Sequence, residues 1–373
     1  MKLTLQTRLL PAQDQVMALE ATLRAFNAAA DWLAGEAFVR KTANKVLLQR
    51  LYYRELRTQF ALSAQMAVRC IAQTCEAYKR DKKKRPHFRP LASMPYDQRL
   101  MSFKGLDRVS LLTLQGRILV PFIMGTYQSE RFSAAKGQCD LVRRRDGQWF
   151  LLVTVDLPDG AKTPTTDFLG VDLGMANVAT DSDGVKHSGD GVETCRIRHH
   201  ARRQGLQKAA AGRKRRGRRP KAIRRKLRDL SGREARFRKD VNHTLSKTLV
   251  AKAQDSGRGL ALEDLKGIRD RTRFRKAQRA RMGGWAFHQL RTFIAYKAQR
   301  GGVMLEIVDP RNTSRECAVC GYVAKTNRPS QSEFHCGVCH HTDHADVNAA
   351  RNIRARAVVN RPKVSEPPQT IAA

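Results

Sequence analysis

The sequence predicts a multidomain α/β chain, and three observations carry that expectation. Hairpin-like segments fill residues 100–156. Two later apolar strands each end in an acid, and four cysteines stand in two Cys-x-x-Cys pairs near the C-terminus. A small barrel and a separate α/β core are therefore expected in one chain.

Residues 2–9 alternate polar and apolar as a strand does, and stop before Pro11. Val16, Leu19, Leu23, Phe26, Ala30 and Leu33 then recur at helical spacing. A second helix is expected over roughly Ala64–Arg80, with Met66, Ile71, Cys75 and Tyr78 on its buried face. It runs into the basic cluster Lys79–Arg85, closed by Pro86. Val109–Leu114 and Arg117–Val120 read as a hairpin about Gln115-Gly116. Cys139–Arg143 and Trp149–Val155 read as another about Asp146-Gly147, a strong turn signal. These strands and the first one form a barrel, with the helical pair inserted between them. Pro164 marks a linker.

Beyond it, Phe168–Asp172 is an apolar strand ending in an acid, and residues 178–184 give a second strand and turn. Residues 196–239 then hold 20 Lys/Arg and two acids, Asp229 and Glu234. That density exceeds what a solvated face needs and predicts a helical hairpin turned toward nucleic acid. A helix follows about Val241–Ala253, and Gly259–Glu263 is a short strand again ending in an acid. A basic helix about Arg269–Arg281 precedes Trp285–Arg300, where Phe287, Leu290, Phe293, Ile294 and Ala298 mark a buried face. Residues 303–308 make a further strand. After the cysteines, Asp346 opens a helix over Val347–Ala357, and residues 358–373 read as a flexible tail.

Charge narrows the function. The 373 residues carry 71 Lys+Arg against 34 Asp+Glu, a formal net charge of +37, with 41% hydrophobic residues. A globular chain so basic is self-repelling without a polyanion, and nucleic acid is the natural partner. No lipid-facing amphipathic helix, transmembrane span or signal peptide is read, so a cytoplasmic, nucleic-acid-associated protein is expected. The candidate phosphate-binding residues are Lys82, Lys83, Lys84 and Arg85, with Arg213, Lys214, Arg215, Arg216, Arg218, Arg219, Arg224 and Arg225. Aromatics at 6% are too sparse for a pure base-stacking single-strand binder.

Cys317, Cys320, Cys336 and Cys339 aim four thiolates at one point, the donor set of a structural tetrahedral zinc. Cys70, Cys75, Cys139 and Cys195 have no such spacing. His340, His341 and His344 read as a polar rim of the ribbon. The acids Asp172, Glu263 and Asp346 suit a ribonuclease-H-like core, where carboxylates hold two Mg²⁺ or Mn²⁺ ions for phosphodiester cleavage. Asp172 is expected to bridge the ions, Glu263 and Asp346 to complete their shells, and Asn348 to orient Asp346 or the phosphate.

Several segments together resemble a known family. They are Gly170-Val-Asp-Leu-Gly174, Leu262-Glu263-Asp-Leu265, Trp285-Ala-Phe-His-Gln-Leu290 with Tyr296-Lys297, and Asp309-Pro310 through Thr313-Ser314. Cys317-x-x-Cys320-Gly321, Phe334-x-Cys336-x-x-Cys339, Ala345-Asp-Val-Asn-Ala-Ala350 and Asn352-Ile353 complete the set. The chain looks like TnpB, the OrfB-type accessory protein of bacterial insertion sequences, which is related to type V CRISPR effectors. The likeness is dense over residues 168–355; the N-terminal half fits by length and layout.

The resemblance implies an RNA-guided DNA endonuclease that binds guide RNA and double-stranded target DNA, one protein per RNA, and cuts beside a short transposon-adjacent motif. It implies a wedge-type β-barrel (1–10 and 90–163) with an inserted helical recognition domain (11–89). It further implies a RuvC-like nuclease domain (164–311 and 343–357) carrying a zinc ribbon (312–342). Asp172, Glu263 and Asp346 would be its catalytic carboxylates, and the four cysteines its zinc ligands. Guide pairing would read sequence, so Lys and Arg need only hold the backbone. The alternatives are a non-catalytic RNA-guided DNA-binding regulator, which would lack one or more acids, and a transposase using the same triad. A plain zinc-ribbon DNA-binding protein leaves the strand-end acids without a role.

Overall fold

The alternation of residues 2–9 becomes strand β1 (Lys2–Leu9) in the computed structural model of the chain, which describes residues 1–133, 135–265 and 286–360. The chain divides into two compact units, Met1–Pro158 and Asp159–Ala373.

In the first unit, β1 is followed by helices α1 (Gln13–Val39), α2 (Lys45–Gln59) and α3 (Ala64–Arg80), then strands β2 (Met94–Tyr96), β3 (Met101–Lys104), β4 (Arg108–Thr113) and β5 (Gly116–Ile123). Helix α4 (Thr126–Phe132) leads into the hairpin β6 (Ala135–Arg143) and β7 (Trp149–Asp156). The seven strands form one antiparallel sheet in the order β2-β6-β7-β1-β5-β4-β3. It curls until its ends meet. Tyr96 Oη of β2 donates to the Leu112 carbonyl of β4 at 2.9 Å, and Cys139 Sγ of β6 lies 2.9 Å from Met101 Sδ of β3.

The insertion holds three helices rather than a pair. Helix α2 went unread because its buried face is only Leu48, Tyr52 and Leu56, on a largely charged segment. The faces expected of its neighbours are there: Leu19, Leu23, Phe26, Ala30 and Leu33 of α1, and Met66, Ile71, Cys75 and Tyr78 of α3, are buried. They share one continuous core with Leu5, Leu9, Leu111, Val120 and Val153 of the barrel. Burial pushes the Cys70 thiol up to about 12, the state of an inert core thiol.

The second unit is built on strands β8 (Phe168–Asp172), β9 (Asn177–Asp181) and β10 (Lys186–Ser188), then helices α5 (Asp190–Arg215), α6 (Lys221–Leu230) and α7 (Arg233–Asp255). Strand β11 (Gly259–Glu263), helix α8 (Phe287–Gly301) and strand β12 (Leu305–Val308) follow, then the ribbon strands β13 (Glu333–His335) and β14 (Thr342–His344) and helix α9 (Ala345–Asn360). The sheet order is β10-β9-β8-β11-β12. Strands β8, β11 and β12 run parallel and β9 opposes them.

The basic segment is three helices rather than a hairpin. Gly217 and Gly232, at φ +67° and +80°, break it at two points. Helix α9 runs three residues past Ala357, to Asn360. The basic helix expected about Arg269–Arg281, Trp285, and most of the expected tail lie outside the described residues. Among the described residues no helix is long and apolar enough to cross a membrane.

Side-chain alternation along the central strands decides where the acids face. Leu169 and Val171 of β8, with Leu260 and Leu262 of β11, pack against Leu245 and Leu249 of α7 and Leu290, Ile294 and Ala298 of α8. Phe168 and Ala261 turn the other way and pack against Ile353 and Ala357 of α9. With a period of two, Asp172 and Glu263 share that second face. The register pairs Val171 with Leu262, so the two acids stand at the same level on adjacent parallel strands.

Candidate metal centres and their supports

Helix α9 delivers the third acid, and Gly170 lets it come close enough. A Cβ at Gly170 would lie 2.1 Å from the Ala350 carbonyl oxygen and 2.6 Å from the Arg354 nitrogen. Four residues past Ala350, Arg354 makes a bidentate pair with Asp167, both contacts 2.9 Å. The helix therefore runs antiparallel to β8, and its first turn, with Asp346, comes to the strand end that carries Asp172. Asp346 also sits where a helix N-terminus favours negative charge.

The three acids form one electrostatic group. Asp172 is pushed up to about 8, first by burial, then by the charges of Glu263 and Asp346, with Arg328 pulling the other way. Burial raises Glu263 as well. Asp346, 6% exposed, is held at both oxygens: Asn177 Nδ2 donates to Oδ2 at 3.0 Å and Arg328 pairs with Oδ1 at 3.0 Å. Glu263 accepts from the Thr313 hydroxyl. Asp172 gains no side-chain donor among the described residues, only the Leu173 backbone N–H.

Two nearby acids show the contrast. Buried Asp181 pairs with Lys252 at 2.6 Å. Asp183 is held well below the usual carboxylate range by Arg258 and Lys252. Those two are neutralised by the chain itself. The trio is compensated in part, by Arg328 on Asp346, and its carboxylates do not draw together as closely as the cysteine thiols, whose ligand atoms all lie within 4.8 Å of one another.

The ribbon makes the second centre. The Sγ atoms of Cys317, Cys320, Cys336 and Cys339 all lie within 4.8 Å of one another, with Cys317–Cys339 at 3.6 Å and Cys320–Cys336 at 3.5 Å. Sulfurs on a zinc tetrahedron, at ~2.3 Å from the ion, stand roughly 3.8 Å apart. The four thiols fit that ion. Each knuckle turns through a left-handed residue just after its second cysteine, Gly321 at φ +74° and His340 at +58°. Gly321 N donates to Cys317 O at 2.9 Å, and His340 N to Cys336 O at 3.1 Å. Backbone N–H groups of Cys339 and Val338 pull the Cys336 thiol down, while the neighbouring thiols help push Cys339 up, so the quartet shares its protons. Buried Asn327 ties the knuckles together, donating to Arg315 O and Tyr322 O and accepting from Gly337 N.

The histidines stay outside the cysteine cluster: His344 Nδ1 accepts from Asp346 N at 3.2 Å, capping α9, and His341 faces Asp343. Asn348 does not act as expected. Buried, it turns from Asp346, accepting from Ala318 N at 3.0 Å and donating to Glu316 O at 2.8 Å. Asn177, Thr313 and Arg328 were missed, because each lies in a segment remote in sequence from the acid it serves.

Of the basic candidates, Arg85 is engaged with Asp31 at 3.1 Å and Lys84 with Asp81 at 3.6 Å, while Lys82 and Lys83 are exposed. Arg213, Lys214, Arg215, Arg216, Arg218, Arg219, Arg224 and Arg225 are all exposed along α5, the following turn and α6.

Residues 151–267 match the family model described as "Probable transposase", OrfB_IS605, and residues 287–353 match "Cas12f1-like, TNB domain". The chain is 32% identical over 218 residues to the CRISPR-associated endodeoxyribonuclease Cas12f1 of Syntrophomonas palmitatica, covering 56% of this chain and 42% of that one. It is 36% identical over 124 residues to a TnpB-like protein of Methanocaldococcus jannaschii, covering 33% of this chain and 44% of that one. The chain thus spans less than half the length of these two relatives. A solved Cas12f1–sgRNA–target DNA complex superposes with a TM-score of 0.56 at 13% identity, over 92% of this chain and 83% of that one. The resemblance to TnpB and OrfB-type proteins is borne out, and the fold resembles that of the protein chain in the Cas12f1 complex.

Proposed function

We propose that this chain is an RNA-guided DNA endonuclease of the TnpB type, binding a guide RNA and cutting target double-stranded DNA by metal-dependent phosphodiester hydrolysis. The observation that carries the reading is the placement of Asp172, Glu263 and Asp346 at one end of the sheet, from two strands and a helix, with Asp172 pushed up to about 8 by burial and the charges of the other two. The strand order, with β9 alone opposed to its neighbours, supports a ribonuclease-H-like core of the RuvC kind. The cysteine quartet supports an inserted zinc ribbon with one structural zinc. Domain bounds follow the family layout: a wedge-type barrel at 1–10 and 90–163 around recognition helices at 11–89, then a nuclease domain at 164–311 and 343–357 around the ribbon at 312–342.

Asp172, Glu263 and Asp346 would hold two Mg²⁺ or Mn²⁺ ions, which supply an activated water and stabilise the leaving oxygen. Asp172, with no side-chain donor among the described residues, would have its oxygens open to the cations. Asn177 and Arg328 fix the Asp346 carboxylate, and Thr313 fixes that of Glu263. Arg328 acts electrostatically on Asp172 and Glu263 too, and its guanidinium is suited to a phosphate oxygen. The exposed arginines of α5 and α6, with Lys82 and Lys83, would grip nucleic-acid backbone without reading bases.

The test begins with the nucleic acid that copurifies with the protein. A discrete structured RNA is expected; heterogeneous bulk nucleic acid would count against guided binding. Loaded with that RNA, the parent should cut matched DNA in Mg²⁺. Asp172→Ala should lose more than the 10–100-fold typical of a ligand's supporting partners, so on the order of 10³, with guide-dependent DNA binding retained. Equal cutting by both would remove Asp172 from the site. Guided binding without cutting by the parent would favour the regulator.

A further inference from the structure

Glu263 is held from the approach to the ribbon. Thr313, 3% exposed, lies just before the first cysteine knuckle, and its hydroxyl donates to Glu263 Oε1. The same hydroxyl is 3.1 Å from the Pro310 carbonyl oxygen, so two acceptors compete for a single proton. The Thr313 main-chain carbonyl accepts from Asn352 Nδ2 at 2.9 Å, on the helix that carries Asp346. Asn352 Nδ2 also donates to Glu316 O at 2.7 Å. One turn earlier, Asn348 donates to that same carbonyl and accepts from Ala318 N, inside the knuckle. Asn348 is 0% and Asn352 4% exposed, so water cannot replace these bonds cheaply.

We propose that Thr313 is a positioning residue for Glu263. The brace Glu263–Thr313–Asn352–Glu316–Asn348 makes the first knuckle and helix α9 a single support for two of the three acids. A hydroxyl that engages one carboxylate oxygen leaves the other for a cation and fixes the plane of the group. A threonine does this with little rotamer freedom, because its β-branch is stiff. A packing role alone would be met by valine, which has nearly the same shape and no proton to give. Supporting partners of this kind typically change metal affinity by 10–100-fold.

The inference rests on the proposed nuclease reading for its cutting arm, and its primary readout is independent of cutting. Full-length protein, loaded with its copurified RNA, is titrated with Mn²⁺ and the free ion is followed by electron paramagnetic resonance. Zinc content and DNA binding are measured alongside. Thr313→Val should weaken Mn²⁺ binding at least about tenfold with one zinc and parental DNA binding kept, and Thr313→Ser should recover most of it. Parental Mn²⁺ affinity in the valine variant overturns the proposal, as does a serine variant as weak as valine. If the valine variant fails to fold, Asn352→Leu decides: it leaves the hydroxyl in place and should still weaken Mn²⁺ several-fold, whereas parental affinity removes the brace. A parent that binds Mn²⁺ in a Thr313-dependent way yet never cuts leaves the positioning role standing and ends the nuclease reading. A parent that binds no Mn²⁺ ends both.

Discussion

The four thiols and the three carboxylates are two candidate metal-binding designs in one unit, and they differ in what assembles them. Each cysteine pair is set by its own tight turn, so half of the ribbon site is fixed by four consecutive residues and only the two halves must meet. The acids have no such local help. Strand register, alternation and a glycine contact bring β8, β11 and α9, and with them the acids, to one end of the sheet. The ribbon ligands are gathered by backbone N–H groups, whereas the acids repel one another and are steadied by Asn177, Arg328 and Thr313. One design is complete in a short stretch of chain. The other is a property of the whole unit.

The sharpest way to break that contrast is to remove a thiolate. Cys336→Ser should abolish stoichiometric zinc, because a structural zinc site contributes on the order of 10 kcal/mol to its module. If the knuckle braces α9, cutting should fall below detection as well, while the first unit's helices and barrel persist by circular dichroism. Full cutting by a zinc-free protein would separate the two sites.

Gly170→Ala attacks the other design without touching a ligand. A methyl group 2.1 Å from a carbonyl oxygen must push α9 off β8, at a cost of about 3 kcal/mol, seen as a fall of roughly 6–12 °C in melting temperature. Zinc content should not change. An unaltered melting temperature would show that the helix has slack.

The smallest effect concerns charge. Asp172, at about 8 in the fold against about 3.9 unfolded, holds its proton more tightly when folded. Its ionisation therefore destabilises the cation-free protein progressively from near pH 4 to about pH 8. Asp172→Asn should raise the cation-free melting temperature by a few degrees at pH 8, with the gain vanishing near pH 4. Added Mg²⁺ should favour the parent instead. A pH-independent difference between the two would mean that the aspartate is not strained by its neighbours.

What could be read from sequence follows the same division. The cysteine quartet, the hairpin about Asp146-Gly147 and helix α3 are written in short-range patterns and appear where the patterns put them, whereas the earlier hairpin turns one residue sooner than Gln115-Gly116, with Thr113 opposite Gly116. Strands β2, β3 and β10 are too short for a period to show. The acids were legible as strand ends and a helix start, but their supports were not. Asn177 and Asp346 are 169 residues apart, and Thr313 and Glu263 are 50 apart, so no spacing rule joins them. Asn348 misled for the same reason: its place two residues from an acid suggested a role there, and the helix turns it toward the ribbon instead.

The glycine contact at residue 170 also bears on how such chains diversify. Because α9 is indexed to the sheet by that contact and by the Arg354–Asp167 clamp, its footing does not depend on the length of the loop tips that precede it. Residues beyond the knuckle bases can vary while Asp346 keeps its station. Between Tyr322 and Ser332 that freedom is limited to residues other than Asn327, which binds both knuckles, and Arg328, which holds Asp346. The ribbon is thus constrained at its anchorage and at those two side chains, and its remaining outer surface can vary.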